Sequence, residues 1–246
     1  MKLKLVIAVV SIGVLFYGCS TSQINSAVKT AGGILTEGSA GLTSEEVGKG
    51  LKEALIQGVS KGSAQASQTD GYLKNDLLKI LMPPEMAKVD QKLRSLGMNK
   101  LMDDFMVTMN RGAEDAAKQA KPIFVSAITS MSIQDAWSIL KGDKSAATNY
   151  LKSATGGQLY TSFKPVIKSS LEKVNATKYY TDIISTYNKI PFIEKINPDL
   201  NDYVTNKAVD GLFVLVQQEE TNIRENPTAR ATDLLKKVFT PENMKK

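Results

Sequence analysis

The chain predicts an all-α fold, a single-domain bundle of roughly eight or nine helices. Apolar residues recur at three- and four-residue spacing through most of its length, and no stretch alternates with the period of a strand. Cap residues, glycines and prolines fall where such segments begin and end. With 42% hydrophobic and 23% charged residues in 246, the composition is that of a globular chain. No internal repeat of fixed period is present.

The elements follow in order. Residues 20 to 41, rich in Ser, Thr, Gly and Ala, read as a flexible tether. Thr43 then starts a helix: Glu46 is its capping-box partner, and Leu42 with Val47 forms a hydrophobic staple. Val47, Leu51, Ala54, Leu55 and Val59 continue at helical spacing. Gly48, Gly50, Gly58 and Gly62 lie in the same segment, each costing about 1 kcal/mol if exposed, which predicts close approach of another helix or of the tether. Asp70-Gly71 marks a turn and Pro83-Pro84 a break. Met86, Val89, Leu93 and Leu96 make a short helix stopped by Gly97. Leu101, Phe105, Met109 and Ala113 carry a long helix to about Lys121, kinked or restarted by Pro122. Ser132 to Asp135 opens the next helix, which ends near Gly142. Another runs from Ala146 to Thr155 and ends at Gly156-Gly157. Gln158 to Val174 is helical with Pro165 as a break, and Ala176 to Ile190 is closed by Pro191. Asn197-Pro198 begins a long helix that is apolar on every side from Gly211 to Val216, the mark of a central position. Asn226-Pro227 repeats that start, and Ala231, Leu234, Leu235 and Val238 form the inner face of the last helix, with Lys236 and Lys237 suiting its dipole.

The amino terminus carries an address. Lys2 and Lys4 precede an apolar stretch, Leu5 to Tyr17, that is shorter than the ~18 residues of a membrane span and reads as a signal peptide. Cys19, the single cysteine, follows Leu15-Phe16-Tyr17-Gly18, an arrangement that resembles the lipobox of bacterial lipoproteins. That resemblance implies cleavage after residue 18 and lipidation of Cys19, with palmitate-like acyl chains anchoring the protein to a membrane. Ser20 stands where an aspartate would favour inner-membrane retention, so the expected location is the periplasmic face of the outer membrane, in hosts that have one. The domains are then a leader over 1–18, a tether over 19–41 and a helical domain over 42–240.

The chemistry open to such a chain is narrow. There is no histidine, which removes the commonest general base and zinc ligand. With Cys19 committed to lipid, no thiol remains for a disulfide, a metal or nucleophilic work. No catalytic, cofactor-binding or metal-binding residue is therefore expected, and Gly32-Gly33 and Gly156-Gly157 match no phosphate loop. The formal charge is +6, carried mostly by dispersed lysines, and no nucleic-acid motif accompanies it. Arginine is confined to Arg94, Arg111, Arg224 and Arg230.

The densest polar constellation joins Asn110, Arg111, Glu114 and Asp115 to Glu219, Glu220 and Arg224. Arg111 reaches Glu114 or Asp115 on one helix, and Glu220 precedes Arg224 by four residues on another. The simplest reading is an interhelical network shared by both arginines. The sharper one is a cleft where paired arginines bind an anion, and a carboxylate-based hydrolase is the third. Trp137 and the tyrosines at 150, 160, 179, 180 and 187 serve as core or line a pocket.

Several of these stretches carry a family resemblance: Gly50-Leu-Lys-Glu-Ala-Leu55, Met109-Asn-Arg-Gly-Ala-Glu114, Met131-Ser-Ile-Gln-Asp-Ala136, Ala146-Ala-Thr-Asn-Tyr150 and Ile223-Arg-Glu-Asn-Pro227, continuing through Ala231 to Phe239. In that order they resemble the bacterial proteins grouped as domain of unknown function 4197, many with lipoprotein leaders. Gly112 departs from the expected alanine. The resemblance implies an all-α envelope lipoprotein and brings no activity. The expected function is a non-enzymatic binding or assembly module, with an envelope protein as partner. A carrier of a lipid or other amphipathic ligand is the alternative, motivated by nine methionines and by seven Phe, eight Tyr and one Trp, which suit an adaptable pocket.

Overall fold

The computed structural model describes residues 42 to 245, apart from positions 174, 190, 193, 194, 196 and 198. The leader, Cys19, the tether with Gly32-Gly33, and Pro198 lie outside the described residues. Leu42–Lys246 forms one compact unit. Among the described residues there are nine α-helices and no strand: α1 Ser44–Ser67, α2 Ala87–Ser95, α3 Asn99–Ala117, α4 Ala120–Ser130, α5 Ile133–Leu140, α6 Ala146–Glu172, α7 Ala176–Tyr187, α8 Leu200–Glu225 and α9 Asp233–Val238. Short 3-10 turns, Pro84–Met86 and Pro227–Ala229, precede α2 and α9.

Local chemistry starts and stops several of these helices as the sequence predicts, but Asp199 and not Asn197 caps α8, and α9 starts from Thr232 instead of Asn226-Pro227, which leaves Ala231 exposed outside it. At α1 the Glu46 N–H donates to Thr43 Oγ1 at 3.1 Å while Thr43 N–H donates to Glu46 Oε2 at 2.9 Å. Ser132 and Asp135 form the same reciprocal box at α5. Gly97, at φ 84°, ends α2: its N–H donates to Arg94 O at 2.9 Å and the Met98 N–H to Leu93 O at 3.0 Å, the paired bonds of a Schellman motif.

The core is built on α8, with α1 and α6 both antiparallel to it. Along α6 and α8, Ala147 meets Glu220, Lys152 meets Asp210 and Tyr160 meets Asp202. On the α1 side, a Cβ at Gly62 would stand 3.3 Å from Leu215 Cβ. At Gly50 it would stand 2.6 Å from Val238 Cγ2 of α9, so the absent side chain is what lets α9 seat on α1. Phe124 of α4 and Phe213 of α8 meet edge to face at 5.7 Å.

Two further expectations are corrected. Neither Gly156-Gly157 nor Pro165 breaks the chain; both lie inside α6, which runs 27 residues. Leu151, Leu159, Phe163, Ile167 and Leu171 are all fully buried on one face. At about 1.5–3 kcal/mol for each such side chain, that face outweighs about 3 kcal/mol for the proline and about 1 kcal/mol for each glycine. The helix begun near Leu101 ends at Ala117, and Pro122 sits in the first turn of α4, where its missing N–H costs little. Among the described residues no single helix is long and apolar enough to cross a membrane, although α4 and α5, bent by 106°, would pass as a pair; their apolar faces are buried in the core.

Candidate functional site

The polar constellation read from sequence is divided into three contacts, with Asp115 outside them, and Arg111 and Arg224 share no carboxylate. This overturns the expectation of one network.

The first part pins a loop. Glu114, 4% exposed, accepts the backbone N–H of Tyr72 at 3.1 Å and of Leu73 at 3.2 Å through Oε1, and Arg111 at 2.5 Å through Oε2. The other arm of Arg111 donates to Asp70 Oδ1 at 2.7 Å. Asp70 holds a left-handed backbone, φ 70°, and Lys74 and Arg111 together keep its carboxyl below the usual range. Asn110 finishes the clamp, accepting Ile80 N–H at 2.8 Å and donating to Ile80 O at 2.9 Å. The fully buried Tyr72 ring is tied on its far side by its hydroxyl, which donates to Ala208 O at 2.6 Å. Asp115 lies apart, paired with Lys118 at 2.8 Å.

The second part joins two helix ends. Glu220 accepts Ala147 N–H at 3.0 Å, and Thr148 N–H and Oγ1 at 2.9 and 2.8 Å, capping the start of α6. Arg224 donates to Glu220 at 3.0 Å and to the last carbonyls of α5, Leu140 O at 3.2 Å and Ile139 O at 2.7 Å. An anion therefore faces one helix N-terminus and a cation another's C-terminus, each the favourable sense of the helix dipole. Arg230 does likewise for α8, donating to Ile223 O at 3.0 Å and Arg224 O at 2.9 Å. The third part is Glu219, paired across helices with Lys61 at 2.6 Å.

These groups are spent on backbone or on one another, with Glu219 on Lys61. Glu114 and Glu220 have both oxygens occupied, and Arg224 lies against carbonyls, so neither arginine presents a free fork to an anion. Glu114, Glu219 and Glu220 sit in three separate contacts, not facing one another as a hydrolytic pair would. Among the described residues no three Asp, Glu, His or Cys gather to hold a metal.

A second polar cluster lies where α6 meets α8. The Tyr160 hydroxyl donates to Asp202, while Lys164 donates to Tyr160 Oη at 2.8 Å and to Asp199 Oδ2 at 3.1 Å. Burial opposes the charge on Asp199, but Lys164 and the Asp202 N–H outweigh it and hold its pKa low. The cluster caps the start of α8.

A concave apolar site lies elsewhere. A groove of about 450 Å³ opens between α2, α3 and α7, within the range typical of small-molecule pockets. Buried Met86, Met102 and Tyr180 form its floor, and Met98, Leu101 and Tyr179, 41, 46 and 58% exposed, its rim. Burial pushes the Tyr180 hydroxyl up to about 12, and it donates to Asn197 O at 3.3 Å. The one charged lining residue, Asp104, is paired with Lys100 at 2.6 Å. Three of the nine methionines, Met86, Met98 and Met102, line it; their neighbours Met82 and Met109 serve the cleft beside α8 and the core, so the run of methionines in the sequence does not single the groove out.

The molecule is thus an all-α protein whose buried charges serve as helix-end and loop clamps, with an apolar groove at its surface. The family model described as a protein of unknown function, DUF4197, matches residues 41–240, and the chain belongs to that family. No curated protein and no solved structure matches the chain.

Proposed function

We propose that this protein is a non-enzymatic, lipid-anchored binding or assembly module of the bacterial envelope, held by Cys19 on the periplasmic side of the outer membrane and binding through the groove of α2, α3 and α7. The groove carries the reading. Its lining of methionine, leucine and tyrosine adapts to apolar shapes, and the buried carboxylates elsewhere are already committed, Glu114 and Glu220 to backbone donors and Glu219 to Lys61. The leader and Ser20 support the location.

A second reading, carrier of a lipid or other amphipathic ligand, is favoured by the floor of Met86, Met102 and Tyr180, which gives an alkyl chain a buried seat. The two readings separate in one preparation. Native mass spectrometry of protein purified from its own envelope shows a retained lipid for a carrier, and only the protein or a protein complex for an assembly module. Labelling with a palmitate analogue tests the anchor: Cys19→Ala is expected to lose the label and leave the membrane fraction, and a variant that stays acylated would refute it.

A further inference from the structure

Residues 79–83 join the turns after α1 to the 3-10 turn at Pro84 without helix or turn of their own. The Asn110 amide both accepts from Ile80 N–H and donates to Ile80 O. One amide reaches both groups of a single residue only where the backbone is extended, as in a β-ladder, because only then do that N–H and C=O point the same way. Pro83 also holds Met82 out of the helical region. Neighbouring residues of an extended segment point their groups to the opposite side, so Lys79 and Leu81 face away from Asn110. On that side Leu81 O accepts the Tyr203 hydroxyl at 3.3 Å. The Lys79 carbonyl and the Leu81 N–H find no partner among the described residues.

This half-used edge borders a cleft of about 400 Å³ against α8, lined among others by Tyr203, Lys207, Asp210 and Val214. Leu81 is 60% exposed. Asp210 is paired with Lys152 at 3.2 Å, whereas Lys79 and Lys207, which also line the cleft, have no carboxylate partner among the described residues, leaving the cleft positive. An alkyl chain seated here would dehydrate the free carbonyl and N–H without replacing their bonds, which is costly; a peptide backbone would satisfy both.

We propose that this cleft binds an extended acidic polypeptide, which adds to the outer edge of residues 79–81 in the manner of an added strand, packs an apolar side chain on Leu81 and Val214, and sets a carboxylate on Lys79 and Lys207. The site is separate from the groove of α2, α3 and α7 and does not depend on what the groove holds. The test uses the full chain and a fluorescein-labelled hexapeptide of alternating glutamate and valine, with alternating lysine and valine as the control. Fluorescence polarisation should show saturable binding of the glutamate peptide with Kd below about 1 mM and at least about tenfold weaker binding by Leu81→Pro, which deletes the N–H but suits extended backbone. Lys79→Glu combined with Lys207→Glu should reverse the preference to the lysine peptide. In the unaltered chain, hydrogen exchange at the Leu81 amide should slow on adding the glutamate peptide, a reading that needs no variant to fold. No binding near 1 mM, indifference to peptide charge, or an unprotected Leu81 amide at saturation would overturn the proposal.

Discussion

Arg224 stands where the end of α5 meets the start of α6, and its loss strips two helix-terminal carbonyls and the buried Glu220 of their cation at once. Leaving a buried charge unpaired costs about 3–5 kcal/mol, and Arg224→Ala is expected to fall in that range. Arg111 is about a third exposed on its side chain, and without it the buried Glu114 keeps the Tyr72 and Leu73 N–H donors, so Arg111→Ala should cost about 1–3 kcal/mol. Because the two arginines share no partner, the double variant should add to within about 0.5 kcal/mol in denaturant unfolding; strong sub-additivity would mean a common network. Glu46 gives a pH signature. Donation from Lys237 and from the Thr43 backbone and hydroxyl lowers its pKa from 4.5 to about 2. A carboxyl lowered in the folded state contributes stability that is complete above its unfolded value and lost as pH falls through the folded one. Glu46→Gln keeps the capping box but should flatten the loss of stability between pH values of about 4.5 and 2, read from urea midpoints; an unchanged acid limb would contradict this.

At the scale of the element, α6 shows which signals are local and which are not. Capping boxes and the Gly97 stop lie within three to five residues of chain, so Thr43-Glu46 and Ser132-Asp135 are legible from sequence alone. So are the helical halves of the clamps, Arg111 with Glu114 and Glu220 with Arg224, since spacing of three or four places them on one face. Their other halves are not legible: Glu220 caps a helix 73 residues away and Arg111 reaches Asp70 across 41. The run through Gly156-Gly157 and Pro165 is hidden for the same reason, because the burial that overrides local propensity comes from α3 and α8. A Cβ at either Gly156 or Gly157 would meet nothing within 4 Å, so each glycine-to-alanine change should stabilise the protein by about 0.5–1 kcal/mol. Thermal melts check this, and a lowered melting temperature would show that the helix is interrupted there. Gly50→Ala should act oppositely, since its Cβ would drive into Val238; overpacking of this kind costs about 1–3 kcal/mol.

For the whole molecule, helical periodicity makes the fold class readable, while the assignment of polar residues to sites depends on which helices become neighbours. The constellation of Asn110, Arg111, Glu114, Glu219, Glu220 and Arg224 attracts attention by charge, yet Asn110, Glu114, Glu220 and Arg224 fasten backbone, Arg111 braces Glu114, and Glu219 pairs with Lys61. The groove is built from methionine, leucine and aromatic residues that suit core and pocket equally, and no spacing in the sequence separates its lining from the core. Uptake of an apolar group by this groove can be read from binding of a fluorescent fatty acid, dansyl-undecanoate. The unaltered chain should bind the probe saturably at micromolar concentration, and Leu101→Glu, which places a charge on the half-exposed rim, should weaken that binding at least about tenfold with an unchanged melting temperature. No uptake by the unaltered chain, or equal uptake by the variant, would contradict the account.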